Sequence, residues 1–124
     1  MSLDLEAIYT DLHRHPELSF QETRTAGVIA EHLTALGIEF EAGIGLTGIA
    51  AVIRNPRSDT EPGPVVWLRA DTDALPVAER TDLDYASTAR GTDPAGLDVP
   101  VMHACGHDMH ITAKLLTIST PSGG

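Results

Sequence analysis

Val65-Val66-Trp67-Leu68-Arg69-Ala70-Asp71 is a β-rich apolar run that ends in an aspartate, and its place in the chain decides the fold reading. Val65 to Leu68 reads as a short buried strand. Towards the amino terminus a second such run spans Gly48 to Ile53, and a loop carrying Pro56, Pro62, Gly63 and Pro64 separates the two. Ile38 to Glu41 adds a short candidate strand. Before these, Leu5, Ile8, Tyr9 and Leu12 recur at helical spacing, so residues 3–14 read as an amphipathic helix. His15 precedes Pro16, which pushes it toward extended geometry and ends that helix. Ser19-Phe20-Gln21-Glu22 has the form of a capping box, and Ala26, Ile29, Ala30, Leu33 and Leu36 make one stripe behind it. Gly37 then stands where a left-handed cap belongs, giving a helix over 20–36. Helices alternating with strands imply an α/β domain with helices packed on a sheet. Ligands in such folds gather beyond the carboxyl ends of the strands, which favours Asp71, although aspartate also serves as an ordinary turn residue there. Residues 80–100 hold Pro, Gly and Asp with no period and predict an irregular connection with one short strand.

Met102-His103-Ala104-Cys105-Gly106-His107-Asp108-Met109-His110 packs three histidines, the only cysteine and an aspartate into nine residues. Imidazole, thiolate and carboxylate are the ligands of zinc and its first-row neighbours. Cys105 and His107 are two apart, so in extended chain both leave the same face and can reach one ion. Gly106 between them lets the backbone come close. A lone cysteine is more often a small buried hydrophobe, but the cluster as a whole favours metal.

The 124 residues suit one domain, and 42% hydrophobic content makes the chain compositionally globular. Eighteen acidic against eight basic side chains leave a formal charge of -10, which repels phosphate backbones and anionic membranes. No nucleic-acid or membrane partner is therefore expected. One cysteine cannot form an internal disulfide, which fits a reducing compartment. The N-terminus lacks a basic, then apolar, leader, and no apolar run approaches the roughly 20 residues of a bilayer span. These absences point to a cytoplasmic protein.

With Arg69-Ala70-Asp71-Thr72-Asp73-Ala74-Leu75-Pro76 followed by His103-Ala104-Cys105-Gly106-His107-Asp108, the chain resembles the metallo-amidohydrolase family of hippurate hydrolases. That branch includes N-acyl-amino-acid and auxin-conjugate hydrolases and is related to aminoacylases and metal-dependent carboxypeptidases. Leu12-His13-Arg14-His15-Pro16-Glu17-Leu18-Ser19-Phe20-Gln21-Glu22-Thr23 matches the branch's N-terminal segment, and the likeness runs from about residue 3 to 113. The resemblance implies part of a mixed-sheet, metallopeptidase-like catalytic domain over 1–113, followed by a divergent or truncated tail over 114–124. It implies Cys105 and His107 as metal ligands for divalent Zn, Mn or Co, with two ions in the complete enzyme. Asp71 corresponds to an aspartate that orients a metal-binding histidine two residues earlier in the related carboxypeptidases. Here that position is Arg69, so Asp71 supports another group. Asp108 and His110 take a hydrogen-bonding and a helix-start role, His13 and His15 surface or structural roles, and His32 a partly exposed helix position.

The implied reaction is hydrolysis of the amide bond of a small N-acyl amino acid, with the ions activating water and a glutamate moving its proton. Family enzymes carry a Glu-Glu pair after the Cys-Gly-His-Asp helix, two later histidines and a satellite domain that often mediates dimerisation. In this chain no Glu follows Glu79 and no His follows His110. The chain thus reads as an amino-terminal portion, shortened by truncation, frameshift or an early stop, and weak or inactive alone. The alternatives are a noncatalytic metal-binding or interaction module, or a decayed remnant. Leu115, Leu116 and Ile118 extend a helix briefly before Pro121. An uncovered core edge would promote homo-oligomers.

Overall fold

The computed structural model describes residues 3–54 and 63–120. Pro56 and Pro62 of the expected loop, and the stop at Pro121, lie outside the described residues. Helix α1 (Leu5–Arg14) starts on Asp4, whose Oδ1 accepts from the Ala7 amide at 3.0 Å. It ends at His15, turned out of helical geometry (φ -125°, ψ 56°) ahead of Pro16.

Helix α2 (Thr23–Ala35) begins later than the expected 20–36, and the capping box does not form. The Ser19 hydroxyl donates instead to Asp73 Oδ2 at 3.1 Å, and Glu22 accepts from the hydroxyls of Thr47 and Thr72. The free amides of the first turn are served from upstream. Glu17 accepts from Arg24 N at 2.9 Å, Thr25 N at 2.6 Å and the Thr25 hydroxyl at 2.7 Å. At the other end the Gly37 amide donates to Thr34 O and the Ile38 amide to Leu33 O, the two bonds of a Schellman cap, with Gly37 at φ +71°.

Strands β1 (Phe40–Ile44) and β2 (Gly48–Ala51) form an antiparallel hairpin with an irregularity at Gly43, and α2 packs against it. Within the expected irregular region, β3 (Arg90–Thr92) and β4 (Asp98–Pro100) form a second hairpin, so that region holds two short strands rather than one. Helix α3 (His107–Ser119) runs past Ala113 without a break and takes in Leu115, Leu116 and Ile118, the brief extension expected from the sequence. Val65 to Leu68 is not a strand: the four side chains are 97, 72, 87 and 49% exposed. A strand needs a partner for its amides and carbonyls, and no described segment pairs with this one.

The core has two parts. Ile8 and Leu12 of α1 meet Ile111 and Leu115 of α3, with Val28 and Ile29 of α2 beside them. Leu18, Ala74 and Val101 make the second. Two isolated bridges, Leu18 with Ala74 and Leu75 with Met102, thread the 71–75 segment between the turn before α2 and the approach to α3. The result is a mixture of helices and small antiparallel strands.

Candidate metal centre

The Leu75–Met102 bridge decides the geometry of the site. Leu75 N donates to Met102 O at 2.9 Å and Met102 N to Leu75 O at 3.0 Å, which carries Asp71 and Asp73 to the start of α3. There His107 Nδ1 is 2.8 Å from the Asp73 carbonyl and 3.0 Å from Asp73 Oδ1. A carbonyl oxygen only accepts, so Nδ1 carries the proton and Nε2 of the neutral ring keeps its lone pair. Nε2 faces Asp71, at 4.0 Å from Oδ2. Anchoring one ring nitrogen on a carbonyl is how proteins fix a metal-ligating histidine.

Cys105 is exposed and free. Gly106 caps α3 in the left-handed region (φ +81°, ψ 18°), so the chain turns between Cys105 and His107 and the extended geometry expected of the pair is not present. Glycine is required there by its φ, not by crowding, because a Cβ would meet nothing within 4 Å. Asp71 also accepts from Arg69 Nε at 2.8 Å in an exposed pair. It borders an open cleft of about 250 Å³ that reaches Ser19, Glu22 and Thr47. A larger cleft, of about 530 Å³, lies between α1 and α2 and includes none of these residues.

A thiol, an imidazole with a free and oriented nitrogen, and a neighbouring carboxylate suit a divalent ion of the zinc type. They are not a finished cage: among the described residues no group of three or more His, Cys, Asp or Glu is arranged to hold one. His103, 4% exposed, has no hydrogen-bond partner for either ring nitrogen among the described residues. Burial pushes it below its ordinary value and disfavours charge on the ring, amid Asp108, His13, His107 and Asp73.

His13 was expected to be at the surface or structural, and its role is structural. Its Nδ1 is 2.7 Å from Asp108 Oδ2 and its Nε2 2.9 Å from Glu79 Oε1. Burial opposes charge on the ring, but the hydrogen bonds and charges of Glu79 and Asp108 outweigh it and raise His13 above its ordinary value. Glu79 did not stand out in the sequence. No local pattern links positions so far apart. His110 and His15 are exposed, and His32 is partly exposed as expected.

His107 is thus anchored on Asp73 and turned toward Asp71, with the exposed Cys105 two residues before it in the chain, on a mixed helix-and-hairpin scaffold. The chain is similar to metallo-amidohydrolases of the hippurate hydrolase kind over part of their length. It is 46% identical over 105 residues to thermostable carboxypeptidase 1 of Saccharolobus solfataricus, covering 84% of this chain and 23% of that one. Hippurate hydrolase of Campylobacter jejuni is 42% identical over 113 residues (91% of this chain, 26% of the relative). N-acetylcysteine deacetylase of Bacillus subtilis is 46% identical over 107 residues (86% and 24%). Among solved structures, the Bacillus subtilis YXEP protein, a dinuclear metal-binding peptidase of the M20 family, superposes with a TM-score of 0.75 at 40% identity, covering 93% of this chain and 29% of its own. No protein-family model matches the chain. The chain spans about a quarter of the length of the curated relatives it matches.

Proposed function

We propose that this chain supplies the Cys105–His107 half of the metal site of a hydrolase that cleaves the amide bond of small N-acyl amino acids. The observation that carries it is His107, with Nδ1 held by the Asp73 carbonyl and Nε2 left free toward Asp71. Relatives named for hippurate and N-acetylcysteine support the substrate class, and a dinuclear neighbour supports two ions. A thiolate ligand favours Zn or a neighbouring metal over Mg or Ca, and the divalent candidates are Zn, Mn and Co.

Cys105 and His107 would hold the ion, with Asp71 orienting the free face of His107. When bound, the divalent ions supply Lewis acidity toward the scissile carbonyl and lower the pKa of water. The Asp73 carbonyl holds the Nδ1 proton of His107 and so selects the tautomer whose Nε2 can serve as a ligand. The general base and the other ligands fall to the further length that the relatives possess, with residues 1–113 as the family portion. The single thiol fits a cytoplasmic setting. The absence of a three-ligand group among the described residues favours a second reading, a noncatalytic metal-binding or interaction module.

Hippurate and N-acetyl amino acids incubated with the 124-residue chain and Zn, Mn or Co test this. No turnover above background is expected from it. A chain extended by a Glu pair and two later histidines should turn over at about 1 to 10³ per second. An extended, metal-loaded chain inert toward every N-acyl amino acid would leave the noncatalytic reading.

A further inference from the structure

His13 is pinched between two buried carboxylates. The Glu79 side chain has no exposed surface and that of Asp108 is 2% exposed. Ionised carboxylate oxygens only accept, so both His13 nitrogens donate and the imidazolium is the form that satisfies the geometry. The carboxylates take further donors: Ser87 N donates to Glu79 Oε1, the Thr81 hydroxyl to Glu79 Oε2, and Met109 N to Asp108 Oδ1 at 2.9 Å. The rings of Tyr9 and Tyr85 close around His13 at centroid distances of 5.7 and 5.3 Å.

A buried ionic group of this kind adds little net stability over apolar side chains of the same volume. What it provides is direction. Ile8, Leu12, Ile111 and Leu115 pack α1 on α3, but apolar contact is non-directional and leaves the first turn of α3 free to slide and rotate. The link from His13 to Asp108 fixes that turn. Asp108 directly follows His107, so the same link fixes the ligand residue.

We propose that His13 is a positioning residue: held by Glu79, it sets the first turn of α3 through Asp108 and thereby places Cys105 and His107 for metal. This rests on the reading of Cys105 and His107 as ligands, so the test separates the two claims. Wild type, His13→Gln, Glu79→Gln and Cys105→Ser are compared in the full 124-residue chain by far-UV circular dichroism, amide hydrogen exchange and zinc titration. His13→Gln, with native dichroism, should speed exchange at the His110 and Ile111 amides by at least about 10-fold while leaving Leu33 of α2 unchanged. It should also weaken zinc by about 10-fold or more, the usual effect of losing a residue that supports a ligand. Glu79→Gln, which keeps the shape and one acceptor, should shift both in the same direction by less. Cys105→Ser should weaken zinc without touching exchange.

Native-like exchange at His110 in His13→Gln would overturn the proposal, as would faster exchange with unchanged zinc affinity. If His13→Gln fails to fold, Glu79→Gln decides alone, and wild-type exchange and zinc affinity in it would overturn the proposal. Zinc affinity equal in wild type and Cys105→Ser would sink the ligand reading instead, leaving exchange to decide whether His13 holds α3.

Discussion

His107 Nε2 lies 4.0 Å from Asp71 Oδ2, and the Leu75–Met102 bridge is what brings the two together. The carboxylate is close enough to bias the ring's free face and too far to bond it directly. Asp71→Asn should therefore weaken zinc binding by about 10-fold, as loss of a neighbouring support does. Arg69→Ala removes only an exposed partner of Asp71 and should change stability by less than about 1 kcal/mol. Calorimetric zinc titration and urea unfolding check both. Unchanged zinc affinity in Asp71→Asn would reduce Asp71 to a turn residue.

The start of α2 gives a test of local structure. Glu17→Ala strands the amides of Arg24 and Thr25 together with the fully buried Thr25 hydroxyl, and should cost about 1 to 3 kcal/mol. Ser19→Ala, at the residue the sequence marks as a cap, should stay within about 0.5 kcal/mol because Ser19 caps nothing. Equal losses in urea unfolding of the two variants would reverse the assignment.

That contrast shows what was legible in the sequence. The apolar stripes of α1 and α2 and the cap at Gly37 are periodic or local signals, and each survives in the fold. Ser19 and Glu22 also have capping spacing, but spacing cannot show that Asp73 and Thr47 compete for them from across the chain. Val65 to Leu68 has strand composition, yet pairing is a property of two segments and composition describes one. The Met102–His110 cluster stands out in the sequence because its residue types are rare together. His13 was not, since Glu79 and Asp108 meet it only after three segments have packed.

The buried triad also makes stability depend on pH. His13 is raised above its ordinary 6.5: burial works against it, and Glu79 and Asp108 more than compensate. Its contribution is complete below that value and is lost as pH rises through the folded one. Glu79 is lowered from 4.5: burial pushes it up, while the Ser87 amide, Thr81 hydroxyl and His13 outweigh burial. Its contribution is complete above that value and is lost as pH falls through the folded one. Both act together between about pH 4.5 and 6.5. His103, lowered by burial, opposes them below 6.5 but is common to wild type and His13→Gln. The Tm advantage of wild type over His13→Gln should be largest near about pH 5.5 and narrow by about pH 9. A constant advantage across that range would mean that His13 is not charged in the fold.

Metal retained after dialysis against buffer, counted by mass spectrometry for wild type, Cys105→Ser and His107→Ala loaded with zinc, tests the central claim most directly. The free thiol and the anchored imidazole stand at these two positions, in a chain similar to a dinuclear metal-binding peptidase. Wild type should retain zinc, weakly because two protein ligands fall short of the usual shell, and each variant should retain at least about 10-fold less. Equal zinc in all three proteins would contradict the account.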